Sequence, residues 1–151
     1  MCGIVGFVND KDNKKTIINT MMDRIVHRGP NSSGEYIDKH VALGFRRLSI
    51  IDLEGGTQPI YNEDRTKIII FNGEIYNYQP LREELIAAGH VFQTHADTEV
   101  LLHGYEEWGT ELLQKIRGMF AFAIWDNEKN ELFGARDHFG IKPYYYAEMN
   151  G

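Results

Sequence analysis

The sequence predicts an α+β fold with largely antiparallel sheets. Short apolar runs and amphipathic helical stretches follow one another along the chain, but they do not alternate as in the βαβ units of a parallel sheet. In addition, MFAFAIWDNEKNELFGARD places two apolar runs on either side of a polar turn at 127–130, which is typical of a long hairpin. The length of 151 residues suits one domain with a sizeable core.

The first predicted elements are a strand at 3–8 and a helix at 14–28. The strand sequence, GIVGFV, is apolar and favours burial. Two i,i+4 series give the helix one wide apolar face: Ile17, Met21 and Ile25, and Ile18, Met22 and Val26. Gly29 and Pro30 are expected to end this helix, and GPNSSG at 29–34 is expected to be a flexible polar loop.

Further strands are predicted at 41–45, 67–71 and 143–148, together with three helices. Pro80 suits the first turn of a helix that Gly89 closes. The other two helices are marked by apolar positions: Leu101, Leu102, Tyr105 and Trp108, then Leu112, Leu113 and Ile116. Because the chain stops directly after its last predicted strand, we expect a fragment of a longer protein.

Composition excludes several classes of partner. The chain has 16 Lys and Arg against 22 Asp and Glu, a net charge of −6, so nucleic acid and anionic membranes are poor candidates. A single cysteine forms no internal disulfide, and neither a secretory signal nor a membrane span is present. A cytoplasmic location is therefore predicted.

The only cysteine, Cys2, follows Met1 directly. If Met1 is removed, an α-amino group with a pKa of about 7.7–8.0 lies on the same residue as a thiol with a pKa of about 8.5. Nucleophile and base then come as one unit. On position alone, a packed cysteine at the start of a strand is an equally good interpretation.

Three other stretches each allow two interpretations. Asn72-Gly73 is the strongest short hairpin signal, but an Asn amide and a Gly N–H also suit an oxyanion hole. An arginine in RRLSIIDL could bind a carboxylate, although a surface salt bridge is commoner. Asp97 could cap a helix or hold a substrate ammonium group.

The histidines predict no metal site. They stand at 27, 40, 90, 95, 103 and 138 and match no ligand spacing, so structural or surface roles are expected. EGGT at 54–57 lacks the lysine of a phosphate loop. No cofactor is therefore predicted for this domain.

Seven stretches, in order along the whole chain, carry a family resemblance: MCGIVGFV, HRGPNSSG, RRLSIIDLEGGTQP, FNGEIYNY, ADTEVLLHGYEEWG, RGMFAFAIWD and ARDHFGIKPYYY. They resemble the glutaminase domain of glutamine-hydrolysing asparagine synthetase, a class II glutamine amidotransferase. The resemblance implies an N-terminal nucleophile hydrolase fold, an αββα sandwich, truncated at its C-terminal end. The substrate it implies is glutamine.

The resemblance also implies roles for individual residues. Cys2 attacks the side-chain amide, and Asn72 and Gly73 bind the oxyanion. Glu74 and Asp97 hold the α-ammonium group. The α-carboxylate is held by the stretch at 47–51, which consists of Arg47, Leu48, Ser49, Ile50 and Ile51. The segment at 27–34 resembles a loop that closes over the substrate.

The resemblance extends to parts absent from this chain. A C-terminal synthetase domain, binding ATP and Mg²⁺ through an SGGLDS-like loop, would receive the ammonia and amidate aspartate or a related acid. A second copy of the chain is a candidate partner. Two rival functions stay open: an idle glutamine-binding or regulatory module if Met1 is retained, and an N-terminal cysteine hydrolase of other amides.

Overall fold

Two antiparallel sheets lie face to face at the centre of the structure, a computed structural model that describes residues 2–48 and 57–149. The first sheet has the order β1-β3-β2 and consists of β1 (Gly3–Val8), β2 (Ser32–Ile37) and β3 (Val41–Arg47). The second sheet follows chain order and consists of β4 (Ile60–Tyr61), β5 (Lys67–Ile75), β6 (Gly118–Asp126) and β7 (Glu131–Arg136).

Helices cover the outer face of each sheet. They are α1 (Lys14–Arg24), α2 (Tyr78–Ala87), α3 (Asp97–Trp108) and α4 (Leu112–Lys115). The first packs on the first sheet, while α3 packs on β5 with α2 beside it. Among the helices of the described residues, none has the length and apolar character needed to cross a bilayer.

Side-chain alternation separates the layers. On β3, Leu43 and Phe45 are buried against the second sheet, whereas Gly44 lies under α1, where a Cβ would be 2.8 Å from Met22 Cγ. On β5, Ile68 and Ile70 are buried in the core between the sheets, whereas Ile69 and Phe71 are buried in the core under α2 and α3. The helix–sheet–sheet–helix order confirms the predicted α+β class and the αββα sandwich.

The end of α2 shows how local sequence determines a boundary. The helix begins two residues before Pro80, which therefore lies in its first turn. At the other end, Gly89 adopts a φ of +106° and donates to Ile86 O, and His90 donates to Leu85 O. This Schellman arrangement needs a residue with positive φ, which glycine supplies at no steric cost.

Several predicted boundaries differ from the structure. The first helix ends at Arg24 and continues only as a 3₁₀ turn, and β1 is an edge strand whose Val8 is 52 % exposed. The loop predicted at 29–34 is wrong over its second half, because 32–34 begin β2 and pair with β3. Backbone pairing on an edge strand tolerates small polar side chains, so the polar composition of this segment wrongly predicted a loop. Residues 32–34 are therefore part of β2 and not part of the loop expected to close over the substrate.

The strand predicted at 143–148 is also wrong. It pairs with no other strand among the described residues, and Tyr145 and Tyr146 are 92 % and 90 % exposed. Only Tyr144 packs closely, over Gly134 of β7. Apolar content indicates a tendency to form a strand, but the strand itself needs a partner for its hydrogen bonds.

We expect neighbouring residues of α2 to differ sharply in their effect on stability. Leu85→Ala should lower the free energy of unfolding by about 2–5 kcal/mol, because the fully buried side chain leaves a cavity. Ile86→Ala is the matched control: its side chain is half exposed, so a change within about 0.5 kcal/mol is expected. Urea unfolding measures both, and equal effects would contradict the layer assignment.

Candidate active site

Asn72, Gly73 and Glu74 lie within β5, opposite Ala121, Phe120 and Met119 of β6. The hairpin interpretation of Asn-Gly is therefore wrong: the strand continues through the pair to Ile75. Glycine is required at position 73 for a different reason: a Cβ there would collide with the carbonyl oxygen of Met119. Close approach of two backbones, rather than a turn, requires glycine here.

The far edge of β5, on the side away from β6, is only partly covered by β4. In an antiparallel strand, alternate N–H groups point to the same edge. Phe71 N–H donates to Gln58 Oε1 at 2.6 Å, and Ile75 N–H donates to Asp97 Oδ2 at 2.8 Å. By this alternation Gly73 N–H points to the same edge, between two donors that side chains already satisfy. It is the donor positioned to bind a ligand.

The other face of β5 turns towards the first sheet. Asn72 continues the row of Ile68 and Ile70, both of which lie in the core between the sheets. Asn72 is 6 % exposed, and its amide makes no hydrogen bond to another described side chain. The Asn72 amide is not among the fully enclosed polar atoms without a partner in the described residues, so it is open to a ligand, as the oxyanion interpretation requires.

Asp97 is the first residue of α3, and Ala96 occupies the N-cap without a side-chain hydrogen bond. Asp97 is therefore not the N-cap residue, and its carboxylate accepts from Ile75 N–H of β5 as well as from Thr98 N–H in the first turn of α3. Burial raises the pKa of Asp97, the hydrogen bonds from Ile75 and Thr98 oppose the rise, and the nearby charge of Glu74 adds to it. Two carboxylates held close together suit a cationic group.

Gly73, Glu74 and Asp97, but not Asn72, line an open cleft of about 550 Å³. Its lining consists of Gly73, Glu74, Ile75, Tyr76, Tyr78, His95, Ala96 and Asp97. Tyr76 is 62 % exposed, so the cleft has an aromatic rim that no motif indicated. The structure thus brings together Gly73, Glu74 and Asp97, three residues predicted from separate stretches.

Cys2 precedes β1 and is partly exposed. It packs against the core between the sheets, and its carbonyl oxygen accepts a hydrogen bond from Arg28 Nε at 3.3 Å. Sequence reasoning placed Arg28 at the end of the predicted helix 14–28 and missed this contact, although the arginine belongs to the HRGP stretch. Cys2 is not among the residues that line the cleft described above. Because it is both packed against the core and partly exposed, its position is compatible with a structural cysteine and with a nucleophile.

Arg47 ends β3, and Leu48 follows it, partly buried. Gly3 pairs with Arg46, so continuing this register places Cys2 beside Arg47 at the same end of the first sheet. Cys2 and Arg47 are therefore neighbours, although 45 positions separate them in sequence. Ser49, Ile50 and Ile51, the remaining predicted carboxylate-binding residues, lie outside the described residues.

Comparison with known proteins gives a consistent result. Residues 1–151 match the family described as "Glutamine amidotransferase domain". The chain is 55 % identical over 155 residues to asparagine synthetase [glutamine-hydrolyzing] 1 of Bacillus subtilis, covering 99 % of this chain and 24 % of the relative. It is 43 % identical over 150 residues to asparagine synthetase B [glutamine-hydrolyzing] of Escherichia coli, covering 96 % and 26 %. The chain spans about a quarter of each relative.

One solved structure, described as the allosteric regulatory enzyme of purine biosynthesis, shares the fold. It superposes with a TM-score of 0.57 at 26 % sequence identity, covering 71 % of this chain and 25 % of its own.

Asp97→Asn is expected to keep or raise the stability of the fold at neutral pH. The asparagine oxygen still accepts from Ile75 N–H, while a partly buried charge beside Glu74 disappears. Because the folded-state pKa is raised, the charge destabilises the fold above that pKa and has no effect below the ordinary aspartate value. The advantage of the variant should therefore vanish as the pH falls towards about 3.9.

Urea midpoints across this pH range measure the effect, and Asp64→Asn is the control. The hydroxyl and amide of Thr66 lower the pKa of Asp64, so this variant should lose stability at neutral pH instead. A lower midpoint for Asp97→Asn at neutral pH would show that the charge, and not merely an acceptor atom, stabilises the end of β5.

Proposed function

The chain belongs to the glutamine amidotransferase domain family, and from this premise we propose that it hydrolyses the side-chain amide of glutamine through a thioester on Cys2. The observation that carries the proposal is the open edge of β5. Gly73 N–H lies there between two N–H groups that already have acceptors. The side-chain amide of the preceding residue, Asn72, is the proposed second donor, since a tetrahedral oxyanion is stabilised by two such groups.

The proposed reaction begins when removal of Met1 exposes the α-amino group of Cys2. This amine takes the thiol proton, and the sulfur attacks the amide carbon to form a tetrahedral oxyanion that Asn72 and Gly73 stabilise. Collapse breaks the C–N bond, and the ammonium proton of Cys2 passes to the leaving group, which departs as ammonia. Water, deprotonated by the same amine, then attacks the thioester and releases glutamate.

The candidate residues carry charges of both signs, which suit the α-amino acid part of glutamine. Glu74 and Asp97 would bind its ammonium group, and Arg47, with the rest of the stretch at 47–51, would bind its carboxylate. Arg28 supports the nucleophile indirectly, since its hydrogen bond to the Cys2 carbonyl restrains the residue that must present both amine and thiol. Binding groups of opposite charge, one for the ammonium and one for the carboxylate, favour glutamine over simple amides.

The relatives' names extend the proposal beyond this chain. We propose that the ammonia passes to a C-terminal synthetase domain that uses ATP and Mg²⁺ to make asparagine or a related amide. The glutaminase chemistry itself needs no cofactor. A cytoplasmic location and a homodimeric assembly belong to the same proposal.

Intact mass before and after incubation with a diazoketone analogue of glutamine tests the nucleophile. We expect loss of Met1 and a single adduct that excess glutamine prevents, because only a terminal Cys2 in a glutamine site reacts this way. Cys2→Ala should take up no adduct while still binding glutamine. Retained Met1 without an adduct would instead favour an idle glutamine-binding module.

Asn72→Ala tests the oxyanion hole. Loss of one of two donors should lower kcat by about 10²–10³-fold with little change in KM, because the bond forms mainly in the transition state. Asn19→Ala, which removes an amide from α1, is the control and should leave steady-state glutaminase kinetics unchanged. Normal turnover by Asn72→Ala would return Asn72 to a purely structural role.

A further inference from the structure

Six titratable side chains gather where α3 meets the exit of α2 and the turn before β5. This His–Glu cluster consists of Glu63, His90, Glu99, His103, Glu106 and Glu107. The two imidazole rings lie side by side, with centroids 5.1 Å apart. Neither histidine has a place in the proposed glutaminase chemistry.

Both Nδ1 atoms lie near the same carboxylate oxygen, Glu106 Oε2. His103 Nδ1 lies 2.7 Å from Glu106 Oε2 and 3.9 Å from Glu63 Oε2. His90 Nδ1 lies 3.8 Å from Glu106 Oε2. One ligand atom from each of Glu63, His90 and His103 lies within 4.8 Å of the others. Bonds of about 2.0–2.1 Å to one ion place tetrahedral ligands about 3.4 Å apart, so small side-chain adjustments suffice.

A further carboxylate lies near the Nε2 atom of each imidazole ring. His90 Nε2 lies 3.1 Å from Glu107 Oε2. His103 Nε2 is buried without a hydrogen-bond partner among the described residues and lies 3.5 Å from Glu99 Oε1. A carboxylate on the outer nitrogen directs the lone pair of the inner nitrogen towards the centre, which is the usual arrangement around metal-binding histidines.

The carboxylates are themselves held in place. Glu99 accepts hydrogen bonds from the backbone N–H groups of Gln93 and Thr94, at 2.6 and 2.7 Å. Glu106 Oε1 accepts from Asn62 Nδ2 at 2.7 Å, which leaves Oε2 to face the two rings. The geometry is therefore set by groups outside the cluster as well as within it.

The cluster has an excess of negative charge. Four carboxylates, those of Glu63, Glu99, Glu106 and Glu107, lie around the two imidazole rings. His103 is 1 % accessible, whereas Glu63 is exposed and opens the site to solvent. These conditions favour a bound cation of higher charge.

We propose that the His–Glu cluster is a binding site for one divalent transition-metal ion of the Zn²⁺ type. The ligands are Nδ1 of His90 and His103 and one carboxylate oxygen each from Glu63 and Glu106. Mixed nitrogen and oxygen donors suit Zn²⁺ or Co²⁺ and disfavour Mg²⁺ and Ca²⁺, which prefer oxygen alone. The ion displaces the Nδ1 proton of His103 to solvent.

Four protein ligands make this a structural site rather than a catalytic one. The ion would join three segments that are separate in sequence: the turn holding Glu63, the exit of α2 at His90, and α3. Asp97 begins α3, so the same helix carries a metal ligand pair and a residue of the cleft. The metal site stands independently of the proposed glutaminase reaction.

Titration of the metal-free chain with Co²⁺ and Zn²⁺ tests the site. The ligand-field absorption of Co²⁺ should show one four-coordinate ion per chain, Zn²⁺ should displace it, and excess Mg²⁺ should not. Zn²⁺ should also raise the urea midpoint, since it binds only the folded state. Absence of a four-coordinate Co²⁺ spectrum would overturn the proposal.

Three variants locate the ion. Glu63→Gln and His90→Gln are not fully buried and so preserve the fold, which circular dichroism checks; each should weaken Zn²⁺ binding more than a hundredfold. Glu107→Gln removes the carboxylate next to His90 Nε2 and should weaken Zn²⁺ binding by about 10–100-fold. His40→Gln is the matched control, because His40 contacts Asp10 at 2.8 Å on the surface and should change nothing. Equal effects of His40→Gln and His90→Gln would mean adventitious surface binding and overturn the site.

Discussion

The antiparallel pairing of β5 with β6 is the constraint on which the site depends. Nine residues of each strand pair without interruption, and this fixes which side chains of β5 face the first sheet and which N–H groups face away from β6. The neighbouring β4 covers only Ile68 and Ile69. Beyond them, side chains have to satisfy the edge, and Gln58 and Asp97 do so on either side of Gly73.

The same alternation places a polar site at the end of an apolar core. Ile68 and Ile70 bury their side chains between the sheets, and Asn72, two positions further, places a polar side chain in the same row. Asp97 has a raised pKa because it is partly buried near Glu74. The charge of Asp97 lowers the stability of the fold, and binding of an ammonium group would offset that loss.

Helix α3 connects two regions that the sequence did not associate. It begins with Asp97 at the cleft, and one face further along carries His103 and Glu106 of the His–Glu cluster. No histidine spacing revealed this cluster, because His90 follows a different helix and Glu63 comes from the turn before β5. Metal ligands contributed by three segments are brought together only by tertiary packing, so motif spacing carries no signal for them.

The sequence by itself determined the α+β class, most strand and helix positions, the β6–β7 hairpin and the identity of the candidate residues, because periodicity and residue chemistry are local properties. Only the tertiary structure decided that Asn72-Gly73 continues a strand, that Asp97 also binds the end of β5, and that 143–148 is not a strand. Each of these depends on which partner satisfies a backbone hydrogen bond. That partner belongs to a segment distant in sequence, so the fold, and not the neighbouring residues, determines whether it is in place.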